Sequence, residues 1–235
     1  TWSEQRFVSF YASADYYYKN KYVLNVSFRT DGSSNFGSDK QFNPNWAAGA
    51  AWNVSEEDFM ASLKPVLNRL TLRIATGFTG NINRSVSPQM IISYYDDYRN
   101  ISNNIYHIGK VVSPPNPNLR WEQTNQINIG LNLDLFNSRL NISTDFYYKK
   151  TNELLSSIAV SSVNGTPSGT YVMNNGTLSN KGMSISLSGY PIRTKDFSWF
   201  VSTYYSINLN EVQSQPLENY TKEAFLDGTA IISGK

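Results

Sequence analysis

The chain has 235 residues, of which 40% are hydrophobic, 14% aromatic and 16% charged, with a formal net charge of +2. That balance gives no strong electrostatic attraction to nucleic acid. The absence of cysteine excludes disulfides, thiolate metal sites and cysteine nucleophiles, and a single histidine, His107, argues against a histidine-rich metal centre. No apolar run reaches the roughly 20 residues of a membrane-spanning helix.

Alternation of apolar and polar residues predicts eight β-strands. Several of them exceed the roughly 5–6 residues typical of globular strands and fit the about 9–11 residues of a tilted membrane strand. In chain order they are Arg6–Tyr18, Tyr22–Thr30, Asn45–Val54, Arg69–Phe78, two strands within Thr124–Leu155 joined at Asn137-Ser138, Lys181–Tyr190 and Phe197–Asn210.

The charged residues of these strands fall on the polar side of the alternation, and we expect no charge mid-strand on the apolar side. A soluble sandwich also has one polar and one apolar face, so alternation alone does not decide the fold class. Aromatic residues near the strand ends suit two membrane interfaces. The charges are Asp15, Arg29, Arg73, Asp134, Asp145 and Lys149, and the aromatics include Tyr16, Tyr17, Tyr18, Tyr22, Trp46 and Trp52.

Short and long connections alternate along the chain. The segment after the third strand predicts one short helical turn with Ser55 as its N-cap and Glu56, Glu57 and Asp58 as a charged first turn. Outer-membrane barrels have short periplasmic turns and long extracellular loops. Since backbone groups in hydrocarbon must pair internally, the pattern predicts part of a closed barrel. The long connections are Asp31–Pro44, Thr79–Arg120 and Leu155–Asn180.

By the same loop rule the first strand starts outside and the eighth runs outward. We therefore expect an interior section of a larger barrel, and a start at Thr1 rather than Met predicts a processed product or a fragment.

Several short motifs resemble the barrel of SusC/RagA-type TonB-dependent transporters of Bacteroidetes. One of them, Asn180-Lys181-Gly182, is usually followed by a glutamate in the family, and this chain has Met183-Ser184 there instead. The matching segments are RTDGSSNFG from Arg29, LRIATGFTGN from Leu72, PNLRWE from Pro117, Lys149 to Leu155, and Asn180-Lys181-Gly182.

The resemblance implies an all-β fold, with about eight strands of a transmembrane antiparallel barrel of about 22 strands and long extracellular loops. Residues 1–235 would be a portion of the TonB-dependent receptor barrel domain, without its plug. It implies a Gram-negative outer-membrane importer of oligosaccharide or peptide, with a SusD-like surface lipoprotein, TonB acting through the plug, outer-membrane lipid around the wall, and no cofactor, metal or nucleic acid. The alternative is a soluble exported β-sandwich that binds carbohydrate. A barrel enzyme is disfavoured, because no His/Ser/acid constellation is present.

The loop segment SYYDDYRN supplies the candidate contact residues for cargo or lipoprotein, because long loops carry binding functions. An ordinary polar loop with packed tyrosines is the alternative. Elsewhere we expect Asp31 to Ser34 to form a turn, Trp121 to lie at a membrane interface rather than to contact ligand, and His107 to be a solvated loop residue. The candidates are Tyr94, Tyr95, Asp96, Asp97, Tyr98 and Arg99.

Overall fold

The computed structural model describes residues 6–34, 41–81, 88–97, 106–159 and 170–214, and most of them lie in β-strands. Among these residues no helix is long and apolar enough to cross a bilayer. The strands are β1 (Phe7–Tyr18), β2 (Tyr22–Ser33), β3 (Phe42–Asn53), β4 (Leu67–Asn81), β5 (Ile91–Asp97), β6 (Tyr106–Ser113), β7 (Glu122–Leu135), β8 (Leu140–Ala159), β9 (Thr170–Arg193) and β10 (Ser198–Ser214).

Eight of these strands form one antiparallel sheet in the order β1-β2-β3-β4-β7-β8-β9-β10, which confirms the predicted eight-stranded section. The register places most apolar residues beside apolar residues or threonines of the neighbouring strands. Leu72, for example, pairs with Trp52 on one side and with Leu131 on the other. The sheet therefore has one continuous apolar face and one polar face, as the alternation predicts.

The apolar face lies open. Among the described residues only Val54, Leu119 and Trp121 are buried apolar side chains. A soluble sandwich would cover this face with a second sheet, which the described residues do not supply, so the β-sandwich alternative does not fit the fold. Representative exposed fractions are Leu24 47%, Phe28 48%, Ile74 48%, Ile129 51% and Phe146 51%.

The sheet has two different ends. At the turn end, short connections join β1 to β2, β3 to β4, β7 to β8 and β9 to β10. At the loop end the strands run further than predicted: β2 continues to Ser33, β8 to Ala159, and β9 begins at Thr170. These extensions carry little alternation, and pairing with the neighbouring strand maintains them instead.

The β5–β6 hairpin lies inside a segment predicted as a loop, Thr79–Arg120, and forms its own two-stranded sheet. His107 belongs to β6, so its prediction as a loop residue was wrong. Sequence reasoning missed this hairpin because its strands have only seven and eight residues.

The connection between β3 and β4 also differs from its prediction. It contains two 3-10 helices, Val54–Glu56 and Asp58–Leu63, and neither has a side-chain N-cap. Ser55 lies inside the first helix and is buried, so it is not a cap. Glu57 separates the two helices and bonds to the neighbouring strands instead of to a helix terminus.

Candidate functional site

The polar face carries side-chain bonds that link strands across the sheet, and we call these cross-strand ties. In one of them Arg73 Nη2 on β4 donates to Asp145 Oδ1 on β8 at 2.9 Å. The bond passes over Gly130 of β7, where an added Cβ would lie 2.6 Å from Asp145 Oδ1 and 2.7 Å from Arg73 Nη2. Gly130 therefore makes room for an ion pair between two strands that are not neighbours.

A second cross-strand tie repeats this arrangement. The Tyr147 hydroxyl on β8 reaches Asn208 on β10 across Gly182 of β9. An added Cβ on Gly182 would lie 2.5 Å from the Tyr147 hydroxyl oxygen. The glycine of the Asn180-Lys181-Gly182 motif is therefore required locally, because a larger residue would collide with Tyr147.

A third cross-strand tie joins β1 through β4 at the loop end and centres on Asp31, which is buried. Its carboxylate accepts from Ser9 Oγ at 2.6 Å, Arg29 Nε at 2.6 Å and Asn45 Nδ2 at 2.9 Å. Asn45 Oδ1 in turn accepts from the backbone amide of Gly80 on β4. The turn predicted at Asp31 was wrong: residues 31–33 belong to β2, because donors on other side chains satisfy the carboxylate.

A clamp of side-chain amides holds the segment before β7 against the β8–β9 hairpin. Asn174 Oδ1 accepts from the Arg120 amide at 2.9 Å, and Asn174 Nδ2 donates to the Arg120 carbonyl at 2.8 Å. Glu122 Oε1 accepts from the Leu155 amide at 3.1 Å. The PNLRWE motif thus packs onto a hairpin more than 30 residues further along the chain.

The clamp leaves a polar recess of about 260 Å³, lined by Arg120, Trp121, Gln123, Asn43, Glu153 and Phe42. Arg120 Nη2 pairs with Glu153 Oε2 at 2.7 Å, and Glu153 has a positive φ of 59° at a bulge in β8. Trp121 is 4% exposed, so its prediction as an interfacial residue was wrong. The PNLRWE motif was recognised from the sequence. The contacts among Arg120, Glu153 and Asn174 were not predicted, because they depend on the register of the β8–β9 hairpin.

The structure places four of the six predicted contact residues on β5. Tyr94 and Tyr95 are 75% and 46% exposed, and they alternate between the two faces of the hairpin. Asp96 and Asp97 follow them on the same strand, opposite His107 and Tyr106 in register. Tyr98 and Arg99 lie outside the described residues. Tyr94 to Asp97 therefore lie in a strand, and their contact with cargo or lipoprotein stays a prediction beside the alternative of an ordinary polar loop with packed tyrosines.

The turn end carries a compact charged cluster around Glu57. Its carboxylate accepts from Lys21 Nζ at 3.0 Å, the Tyr22 hydroxyl at 2.8 Å and Trp52 Nε1 at 3.1 Å. Hydrogen bonds lower the pKa of Glu57 to about 2. The bond from Lys21 has the largest effect, followed by those from Tyr22 and Trp52. The Glu57 hydrogen bond likewise raises the pKa of Lys21. Tyr22 stacks between Tyr18 and Trp52, with ring centroids 6.4 Å apart in both pairs.

No candidate metal-binding site occurs in the part of the chain that the structure describes. No group of three or more His, Cys, Asp or Glu residues there could hold a metal ion. The carboxylates that do occur together with other polar groups bond to arginine, lysine or amide donors.

Proteins of known sequence resemble this chain over most of its length. The TonB-dependent receptor P26 of Formosa agariphila is 36% identical over 205 residues, which is 87% of this chain and 20% of that protein. The TonB-dependent receptor SusC of Bacteroides thetaiotaomicron is 32% identical over 213 residues, again 87% of this chain and 20% of that protein. The chain therefore spans about a fifth of the length of the curated relatives it matches.

A solved structure of the RagAB peptide importer in its open-open state matches the same architecture. The TM-score is 0.80 at 26% sequence identity, over 93% of this chain and 23% of the RagAB chain. Residues 1–232 also match the family described as TonB dependent receptor-like, beta-barrel. The open apolar face, the polar face with its cross-strand ties and these similarities lead to one conclusion: the chain belongs to the TonB-dependent receptor β-barrel family.

Proposed function

We propose that this chain forms part of the wall and the extracellular surface of a SusC/RagA-type importer in the outer membrane. The open apolar face carries this proposal, because a lipid bilayer is the environment in which such a face is stable. The turn end would face the periplasm and the loop end the exterior. The polar face would line the interior of the barrel.

The proposed cargo is an oligosaccharide or a peptide, taken up with a SusD-like lipoprotein and driven by TonB through a plug. The similarity to the RagAB peptide importer supports the peptide class, and the oligosaccharide class is what the resemblance of the sequence motifs implies. At the loop end, the exposed tyrosines of β5 and the polar recess beside Arg120 are the surfaces best suited to contact either partner.

Cysteine labelling of the full-length importer in intact cells tests this orientation, because the present chain has no cysteine of its own. Tyr94→Cys, at the loop end, should react with a bulky membrane-impermeant maleimide added outside. Lys195→Cys, in the turn between β9 and β10, should react only after the outer membrane is permeabilised. Equal labelling of both positions in intact cells would reject the proposed orientation.

Co-purification tests the partner. The full-length importer should retain a SusD-like lipoprotein, identified by mass spectrometry, after mild detergent extraction. Calorimetric titration of the complex with short peptides and with oligosaccharides then separates the cargo classes. Binding of neither class would contradict the proposed transport role.

A further inference from the structure

Two lysines interrupt the apolar face near the loop end. Lys181 of β9 pairs with Tyr148 and Leu209, so it lies on the apolar side of the strand. Lys150 of β8 pairs with Ser179, two positions further toward the loop end. Lys181 contradicts the expectation that no charge lies mid-strand on this face, because β9 begins at Thr170 rather than at Lys181.

The register makes these two lysines diagonal neighbours on adjacent strands. Such residues lie roughly 7–8 Å apart, which is within reach of two long, flexible side chains. Lys149, the residue beside Lys150, faces the other way: its Nζ lies 5.4 Å from the centre of the Tyr147 ring on the polar face. The chain therefore presents two cations to one patch of the apolar face.

A shallow, open groove of about 410 Å³ lies beside Lys181, on the side toward the turn end. Its walls are almost wholly apolar and include Ile129, Phe146, Met183 and Ile207. The groove lies between β7 and β10, over the two strands that carry the lysines. Its apolar walls suit the hydrocarbon chain of a lipid that packs against the sheet.

Little negative charge of the protein itself lies near these two lysines. Among the described residues neither Lys150 nor Lys181 takes part in an ion pair. Glu211 of β10, which pairs with Ser179, is the nearest carboxylate by register and lies diagonal to Lys181. Two lysines against one glutamate leave a net positive patch at the boundary of the apolar face, and like charges on neighbouring strands repel unless an anion lies between them.

We propose that this patch is a lipid-binding site for a phosphate-bearing lipid of the outer leaflet. The phosphate would lie between the ammonium groups of Lys150 and Lys181, and an acyl chain would occupy the groove. The site rests on the proposed function, because it requires the apolar face to lie in a membrane with the loop end outward.

Native mass spectrometry of the full-length importer in detergent tests the site. The probes are monophosphoryl lipid A, the same lipid without its phosphate, and inorganic phosphate alone. The double variant Lys150→Gln/Lys181→Gln should lose affinity for the phosphorylated lipid by roughly 30-fold, which corresponds to about 1 kcal/mol for each lysine near a membrane surface. The dephosphorylated lipid should bind wild type and double variant alike.

Lys149→Gln is the matched control, because it removes a charge at the adjacent position but on the polar face. An equal loss in this control would reject the site in favour of a general charge effect. Equal wild-type binding of both lipids would reject the phosphate contact, and tight binding of inorganic phosphate alone would reject the lipid as ligand.

The proposed function fails in a different way. In that case the wild-type protein would remain soluble without detergent and would retain neither lipid. A protein that needs detergent but binds both lipids equally would refute the lipid site, and it would leave the proposed role as part of a barrel wall unaffected.

Discussion

The hydroxyl of Tyr147 donates a hydrogen bond of 2.9 Å to Asn208 Oδ1, and the bond crosses a strand that belongs to neither residue. The strand between them, β9, presents Gly182 at the crossing point, where a larger residue would collide with the tyrosine.

Gly182→Ala should therefore displace Tyr147 and break this bond, and its Cβ would also lie 2.5 Å from the backbone oxygen of Ile207. We expect a destabilisation of about 1–3 kcal/mol from overpacking and the lost hydrogen bond. Urea unfolding of the full-length protein in lipid vesicles measures it. Gly49→Ala is the control, because its added Cβ would approach no atom closer than 3.6 Å. Equal effects of the two substitutions would show that the crossing at Gly182 does not matter.

Leu131→Arg should destabilise the protein by about 2–4 kcal/mol, the cost of placing arginine on the lipid side near the middle of a bilayer. Asn128→Arg, three positions away on the polar face, should be tolerated. Asn132 is unsuitable as the control, because it accepts bonds from Arg73 and Ser143. The same vesicle unfolding assay compares the variants, and an unaffected Leu131→Arg protein would contradict the membrane assignment.

The Glu57 cluster should make stability depend on acid pH. The folded pKa of about 2 lies below the ordinary glutamate pKa of 4.5, so the ionised carboxylate stabilises the fold above about pH 4.5. That contribution should decrease as the pH falls from about 4.5 toward 2.

The melting temperatures of wild type and Glu57→Gln, measured in detergent over this range, test the prediction. Their difference should be constant near neutral pH and shrink in acid. Glu56→Gln is the control, because no hydrogen bond of the described residues depends on its carboxylate. A difference that does not change with pH would contradict the role assigned to Glu57.

Asn174→Ala should release the segment before β7 from the β8–β9 hairpin. The substitution leaves the partly buried amide and carbonyl of Arg120 without their side-chain partner, which costs about 1–3 kcal/mol. We expect faster proteolysis and faster hydrogen exchange at residues 114–121, with the sheet unchanged. Asn175→Ala, at the exposed neighbouring position, should leave both rates at their wild-type values.

Period-two alternation was sufficient to predict the eight-stranded sheet, because a strand with one side in lipid and one in water must alternate. Val26, Leu72 and Ile129 all lie on the face that the pattern assigns to them. The strand extensions beyond Thr30 and Leu155 were missed, because pairing between strands rather than burial maintains them.

The candidate site was less accessible to sequence reasoning. Tyr94 and Tyr95 were identified from composition, but their place on a hairpin depends on pairing with β6. The clamp between Asn174 and Arg120 joins residues 54 positions apart. Only the register of the sheet brings such partners together, and a single sequence does not contain that register.

The three cross-strand ties have a mechanical consequence. One runs from Ser9 through Asp31 and Asn45 to Gly80, another joins Arg73 to Asp145, and the last joins Tyr147 to Asn208. Together they join six of the eight strands and span the other two, β7 and β9, by crossing over Gly130 and Gly182. Because backbone pairing alone permits neighbouring strands to slip, such diagonal bracing raises the stiffness of the wall against shear. In the importer proposed above, such a wall would keep its shape while TonB acts on the plug.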